Sequence, residues 1–327
     1  MAYTDTDLHP VDKSPSWAHD DTGARHKGKN WYCTHIGNES FSLFESTGSK
    51  SRINFLKLMR AGRTDFVINM DAVCYIQSNK LPQKILDVIT DNLAAVFAND
   101  TQWGDFLAQN GIVKDRYVQI ATEGALIGSI VEHGISEYLV IVSDDAGQFN
   151  VLLQALCWIH ANRAIDKTIA FTDQAKKDLD TVKNQVWQLY EGLKAYKQDP
   201  NPSDKGRLNG MFDQVFTQTT ASAALNLALK RIYKNKSELL LVLKRPDIPL
   251  HNNCSENAIR EYVKKRKISG STRSENGRQC RDTFTSLKKT CRKLGVSFWC
   301  YLKDRIENIG HISDLPNLIR QQTLNPG

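Results

Sequence analysis

The stretch EYLVIVSDDAGQFN, residues 137–150, constrains the fold more than any other part of the sequence. Residues 138–142 form an unbroken apolar run, rich in β-branched side chains, that ends shortly before Asp144 and Asp145. Such a run is typical of a central strand buried on both faces of a sheet. LLQALCWIHANRAI, residues 152–165, predicts a second buried strand in its middle.

Strand and helix patterns alternate along the rest of the chain. NWYCTHIGNESFSLFES, residues 30–46, contains two β-favouring runs around a Gly-Asn turn and predicts a hairpin. A helix is expected over 49–62, and a long amphipathic helix over 172–199 with Thr172 as its N-cap. Two further helical patterns fill the chain to about residue 233. The alternation of strands with helices predicts an α/β core.

Charge is distributed unevenly. The net charge is +7, but residues 230–310 contain 20 Lys and Arg against 8 Asp and Glu. Such asymmetry favours a polyanionic partner, usually nucleic acid, although a solvated helical face produces the same pattern. No stretch approaches the roughly 20 apolar residues that span a bilayer. We therefore expect a cytoplasmic, nucleoid-associated protein with no membrane partner.

Three acidic positions are candidates for chemistry. Asp20 and Asp21 lie in SWAHDDTGARHKGKN, and Asp144 and Asp145 follow the buried strand. Acids at the carboxyl end of a central strand lie where α/β proteins build ligand sites, although a strand-end Asp also simply caps the next helix. The third position, Glu256, precedes a run of basic residues.

Glu256 has two interpretations. Asn253 can be an N-cap with Glu256 as its capping-box partner, which requires no chemistry. Alternatively, Arg260, Lys264 and Lys267 follow Glu256 on the same helical face. A carboxylate flanked by cations suits a site where Mg²⁺ meets a nucleic-acid backbone. In this interpretation the backbone would be bound by the basic side chains of that helix and the following loop: Arg260, Lys264, Lys265, Lys267, Arg273 and Arg278.

The seven cysteines show no CxxC pair, so neither a disulfide framework nor a zinc cluster is predicted. Cys157 and His160 in CWIH resemble half of a zinc site, but no second pair accompanies them. We therefore expect a structural role for both.

Four sequence blocks together resemble transposases of the insertion-sequence-66 family, which use an Asp-Asp-Glu triad. HDDTG is similar to the family's strand ending in Asp-Glu-Thr, with Asp21 in place of the Glu, and DDAGQF is similar to its Asp-Gly-Tyr block. CWIHANR and NNCSENAIR, residues 157–163 and 252–260, are similar to its Cys-Trp-x-His and Asn-Asn-x-x-Glu-x-Ala-Ile-Arg blocks. The resemblance covers roughly residues 17–308.

The resemblance implies a ribonuclease H-like, mixed five-stranded sheet with a helical insertion between the second Asp and the Glu. Asp20, Asp144 and Glu256 would be the catalytic residues and the ligands of two Mg²⁺ ions, with Mn²⁺ as the alternative metal. Asp21 and Asp145 are the alternate ligands, and Asn252 and Asn253 would be structural.

The implied domain organisation places a catalytic core at 17–63, 123–163 and 245–308. An added insertion is expected at 64–122 and a helical insertion at 164–244. Residues 1–16 are expected to be a disordered segment, and 309–327 a C-terminal tail.

The implied activity is metal-dependent cleavage and strand transfer of DNA. Its partners would be transposon ends and target DNA, with self-association on DNA. Family members usually carry a DNA-recognition region before the first Asp, and here about 19 residues precede it. Accessory proteins for end recognition are therefore one expectation. The alternatives are a nuclease without strand transfer and an inactive DNA-binding remnant.

Overall fold

The computed structural model describes residues 16–324 of the chain. Within them lie the strands β1 Ser16–His26, β2 Lys29–Gly37, β3 Ser42–Thr47, β4 Phe66–Val67, β5 Val96–Phe97, β6 Val140–Ser143 and β7 Leu153–Leu156. The helices are α1 Arg52–Met59, α2 Met70–Ser78, α3 Gln83–Asp91, α4 Asp100–Gln109, α5 Asp115–Glu132, α6 Trp158–Asp166, α7 Asp173–Gln198, α8 Pro202–Thr217, α9 Ala223–Lys234, α10 Lys236–Leu239, α11 Asn253–Ser269, α12 Glu275–Lys293, α13 Phe298–Ile306 and α14 Leu315–Leu324.

A five-stranded mixed sheet organises the protein, with the strand order β3-β2-β1-β6-β7. Strands β1, β2 and β3 form an antiparallel meander, whereas β6 is parallel to β1 and β7 is parallel to β6. Strands β4 and β5 pair separately as a small antiparallel ribbon. The predicted α/β class and the expected five-stranded mixed sheet are therefore confirmed.

Helices cover both faces of this sheet. Val140 and Val142 of β6 face a core built mainly with α6–α10, and Ile141 faces a core built mainly with α1–α5. Alternate residues of a strand point to opposite faces, so a strand covered on both sides must be apolar throughout. All three side chains are completely buried, which confirms the predicted central strand.

Helix α11 packs on the first face of the sheet, next to β1. Ala258, Ile259 and Tyr262 are buried against Ala24 of β1 and Phe44 of β3. These residues form the apolar side of the helix. The opposite side is left for the basic residues.

A tight turn joins β1 to β2. His26 pairs with Lys29, so the turn consists of Lys27 and Gly28. Both have positive φ values, 49° and 75°, as a type I′ turn requires. Thus β1 and β2 form a hairpin that continues beyond the end of β6.

Several sequence predictions are confirmed and some are shifted. The hairpin of β2 and β3 is present, and the side chain of Thr172 caps α7 by accepting the Ala175 amide. The central strand begins at Val140 rather than Tyr138, which is 51% exposed. The second buried strand, β7, lies earlier than predicted, because the chain from residue 158 is already helical.

Two further observations concern the N-terminal segment and the question of membrane-spanning helices. The segment 1–16 lies outside the described residues apart from Ser16, which begins β1. Within residues 16–324, no helix combines the length and the apolar character needed to cross a bilayer.

Candidate active site

Asp20 and Asp144 lie just beyond the point where β1 and β6 stop pairing. The last parallel pair joins Ala18 to Val142, and each aspartate follows two residues later. Asp20 does not end its strand, in contrast to the expectation from the resemblance, because β1 continues to pair with β2 as far as His26. The end of β6, rather than the end of β1, brings the two acids to one edge.

Asp20 lies in a strongly negative environment. Burial, with a smaller contribution from the neighbouring carboxylates of Asp144, Asp21 and Glu256, raises its pKa to about 7, against the effect of the Asp21 amide that binds its Oδ1 at 2.8 Å. A carboxyl group near like charges retains its proton because ionisation would add repulsion. The three predicted catalytic acids are thus close enough to influence one another.

The two alternate ligands are engaged elsewhere. Asp21 points to the opposite face of β1, where Lys50 pairs with it and the Gln148 amide donates to its Oδ2 at 2.7 Å. Asp145 is exposed and pairs with Arg231 of α9 at 2.9 Å. These contacts favour Asp20 and Asp144 as the acids that face α11.

The start of α11 differs from the predicted capping box. Asn252 is the N-cap and Asn253 the first helical residue, and the Asn252 side chain makes no capping hydrogen bond. The Asn252 side chain instead donates to the carbonyl of His19 in β1 at 2.5 Å. The capping-box interpretation of Asn253 and Glu256 is therefore wrong: Asn252 ties the helix start to the sheet, and Glu256 is free of that role.

Glu256 is surrounded by cationic and imidazole groups from two helices. Its Oε2 lies 3.6 Å from Arg163 Nη2 of α6 and 3.7 Å from Arg260 Nη2 of α11, and its Oε1 lies 3.6 Å from His160 Nδ1. The side chain is only 13% exposed, and within the described residues its Oε1 has no hydrogen-bond partner. A buried, unpartnered carboxylate oxygen is costly unless something binds it.

The tautomer of His160 follows from its neighbour. Arg163 Nη1 lies 3.1 Å from His160 Nε2, and a guanidinium only donates, so Nε2 accepts. The neutral ring then carries its proton on Nδ1, facing Glu256. The sequence interpretation gave His160 a structural role; its ring in fact lies beside a predicted catalytic acid.

Cys157, His160 and Glu256 form a group whose ligand atoms all lie within 4.8 Å of one another. Burial raises the pKa of the Cys157 thiol, and its sulfur accepts the Asn252 amide at 3.3 Å. A thiol that keeps its proton is a poor metal ligand. Through this hydrogen bond Cys157 connects the start of α6 to the start of α11.

The predicted DNA-binding residues separate into two groups. Arg260, Lys264, Lys267 and Arg273 are exposed. Arg278 is only 9% exposed, because Glu275, Glu45 and Asp282 bind its guanidinium at 2.5, 2.8 and 3.2 Å.

Arg278 therefore does not belong to an exposed basic surface, in contrast to the prediction. Lys265 is also half-buried, and its ammonium group donates to Thr285 of α12 at 3.2 Å. Both residues help to hold α12 in place.

A buried ion pair anchors the loop that follows Asp144. Arg52 donates to the Gly147 carbonyl at 2.6 Å and to Glu123 of α5 at 3.2 Å. Glu123 is 1% exposed and also accepts from Tyr75 at 2.5 Å and Gln119 at 2.9 Å. The α1–α5 layer thus fixes the position of the chain immediately after the second acid.

Sequence reasoning missed Arg163 and the placement of His160. A signal was present, since residues three apart lie on one face of a helix and both belong to the CWIHANR block. The contact with Glu256, however, depends on the packing of α6 beside α11, which the sequence pattern does not indicate.

The chain is similar to known proteins over much of its length. The model of the transposase IS66 family matches residues 128–280, which include Asp144, the CWIHANR block and Glu256. The uncharacterized protein y4jO of Sinorhizobium fredii (strain NBRC 101917 / NGR234) is 43% identical over 289 residues, which cover 88% of this chain and 90% of that protein. No solved structure matches the chain. The chain belongs to the IS66 family of transposases.

Proposed function

We propose that this chain is a DNA transposase that cleaves and joins phosphodiester bonds through Asp20, Asp144 and Glu256. One observation carries the proposal: acids from three distant parts of the chain lie near one another, since the β1–β6 register brings Asp20 and Asp144 to one edge and Asn252 ties the start of the helix that carries Glu256 to His19. Burial is the main cause of the raised pKa of Asp20, and Asp144 and Glu256 add to it. Carboxylates are not gathered in this way for stability, because their mutual repulsion opposes folding. Family membership supports a DNA substrate.

The sheet supports a ribonuclease H-like core. Its order places β1 between an antiparallel β2 and a parallel β6, with β7 beyond β6. This matches the mixed five-stranded sheet implied by the resemblance. The helices α7–α9 lie between Asp144 and Glu256 in the chain, as the implied helical insertion would.

The acidic cluster offers the kind of donor atom that a hard divalent cation requires. Mg²⁺ prefers oxygen ligands. The buried Oε1 of Glu256 is an oxygen of this kind, and it has no hydrogen-bond partner in the described part of the chain. Asp20 would exchange its proton for the cation. Two Mg²⁺ ions, or Mn²⁺ in their place, would lower the pKa of an attacking water or 3′-hydroxyl and stabilise the leaving oxygen.

The side chains around the acids have distinct tasks in this proposal. Arg163 and Arg260 lie next to Glu256 and would hold its carboxylate and a neighbouring phosphate. His160 would orient Glu256 through its Nδ1 proton. Lys264 and Lys267 would hold the DNA backbone without reading bases.

The proposal predicts Mg²⁺-dependent nicking of supercoiled plasmid DNA. Glu256→Gln keeps the size of the side chain but removes its charge, so we expect nicking to fall to background. Glu261→Gln is the matched control, since it lies on the same helix but its carboxylate pairs with Lys289 of α12. Nicking by Glu256→Gln at the wild-type rate would refute the site.

Strand transfer is tested separately with pre-cleaved ends. Incubation of such ends with target plasmid should give joined products that require Mg²⁺. Nicking without joining would favour the nuclease alternative, and neither activity would favour the inactive remnant. Cross-linking of the chain on DNA tests the proposed self-association.

A further inference from the structure

The turn between β1 and β2 carries a concentrated positive charge. The hairpin tip, residues 25–30 with the sequence RHKGKN, contains Arg25, Lys27 and Lys29 within five consecutive positions. All three side chains are exposed. None of them pairs with a carboxylate in residues 16–324. The charge of the hairpin tip is thus available to a partner.

Lys27 occupies an unfavourable backbone position. Its φ of 49° lies in the left-handed region. Lys27 is the first of the two turn residues, and in type I′ turns this position is usually occupied by Asn, Asp or Gly. A side chain with a Cβ, such as that of Lys, is disfavoured there. Asn would therefore suit this backbone position better than Lys.

The hairpin tip is attached to the loop between α11 and α12. The Thr272 amide donates to Arg25 O at 3.0 Å, and the Lys27 amide donates to Thr272 O at 2.8 Å. His26 is buried and contacts Thr272 Oγ1 through Nδ1 at 2.8 Å. Arg273, the next residue, is exposed, and these bonds hold the backbone before it beside the hairpin tip.

A cleft opens beside this attachment. Its volume is about 460 Å³, and two arginines, Arg25 and Arg266, lie among its lining residues with Asn30, Gly270 and Ser271. Backbone amides and guanidinium groups are the donors that bind phosphate oxygens. The cleft therefore has the chemistry of a phosphate-binding surface.

Helix α11 runs beside β1 in the same direction. Asn252 binds His19, Arg266 binds Gly23, and Thr272 binds Arg25, so contacts advance together along both elements. The helix carries Arg260, Lys264 and Lys267 on its outer side between Glu256 and the loop. These cations lead from the acidic cluster to the hairpin tip.

We propose that the hairpin tip, together with Arg273, binds the phosphate backbone of duplex DNA at a distance from the acidic cluster. This inference rests on the proposed DNA chemistry. Asp20 and Lys27 are seven residue steps apart, or about 23 Å at the usual rise of a strand. At about 3.4 Å per base pair, the contacted phosphates lie roughly 5–7 base pairs from the reacting one.

The test is the salt dependence of DNA binding by the full chain. The hairpin variant is Arg25→Gln, Lys27→Asn and Lys29→Gln; Asn at position 27 suits the turn, so folding is preserved. The probe is a blunt duplex of about 30 base pairs, long enough to reach from the acidic cluster to the hairpin tip. Each lost phosphate contact reduces the absolute slope of log K against log salt by about 0.9, so we expect the dependence on salt to be shallower by about 2–3 in that slope.

A charge-matched control lies on the other face of the sheet. Lys80, Lys84 and Arg116 are exposed, and Lys80 also has a positive φ, 56°. Lys80→Asn, Lys84→Gln and Arg116→Gln remove the same charge and should leave the slope unchanged. Equal losses in both variants, an unchanged slope in the hairpin variant, or no DNA binding by the wild type would each overturn the inference.

The outcome is separable from that of the proposed function. A hairpin variant with an unchanged slope, beside a Glu256→Gln variant that no longer nicks, refutes only the hairpin contact. A reduced slope, beside a Glu256→Gln variant that still nicks, refutes only the catalytic assignment.

Discussion

Replacing Asp20 by Asn should stabilise the metal-free protein, and the gain should grow with pH. The folded protein raises the pKa of Asp20 from 3.8 to about 7. A raised carboxyl pKa means that folding favours the protonated form, so its contribution to stability is complete below about pH 4 and lost as pH rises through about 7. Asn does not titrate and retains the oxygen that accepts the Asp21 amide.

The magnitude follows from the size of the shift. Each pKa unit corresponds to about 1.4 kcal/mol, so ionised Asp20 costs the fold about 4 kcal/mol above about pH 7. The gain from Asp20→Asn should be about 2 kcal/mol near pH 5 and about 4 kcal/mol near pH 8. The pH dependence of the gain, rather than its absolute value, is diagnostic.

The assay is urea unfolding in the presence of a chelator, followed at both pH values. Asp145→Asn is the matched control, because that exposed surface acid should change stability by less than about 1 kcal/mol at either pH. Millimolar Mg²⁺ should stabilise the wild type more than Asp20→Asn, since the cation offsets the repulsion that Asn removes. A gain that does not change with pH would refute the reasoning.

Two further substitutions test how the α1–α5 layer is built. Gly128→Ala should destabilise the protein by about 1–3 kcal/mol, because a Cβ there would lie 2.2 Å from Val67 O. The control is Gly210→Ala, where the added Cβ meets open space and should stabilise the protein by about 0.5–1 kcal/mol. Equal effects of the two substitutions in urea unfolding would contradict this. Glu123→Gln should cost about 3 kcal/mol by leaving its arginine partner without a counter-charge, and Glu132→Gln, exposed on the same helix, should change stability by less than about 0.5 kcal/mol. A loss below about 1 kcal/mol for Glu123→Gln would contradict the anchoring role.

The sequence was sufficient where a local pattern decides the structure. The apolar run at 138–142 predicted the buried β6 because few other arrangements tolerate such a run. Thr172 was recognised as a cap because capping depends on neighbours in the chain.

It was insufficient where distant residues decide the outcome. Arg278 looks like any exposed cation in the sequence, yet acids from β3 and α12 surround it. The first hairpin was missed because Lys27 is not a typical turn residue. The position of His160 depends on how α6 packs beside α11, which no local pattern records.

The order in which the acids occur along the chain also limits when they can meet during synthesis. Asp20 and Asp144 emerge from the ribosome well before Glu256, which follows Asp144 by 112 positions. At about 5–20 residues per second, this interval lasts roughly 6–20 seconds. A nascent chain that has completed β6 but not α11 therefore holds only two of the three acids. If the proposed chemistry requires all three, an incomplete translation product cannot cut the genome that encodes it.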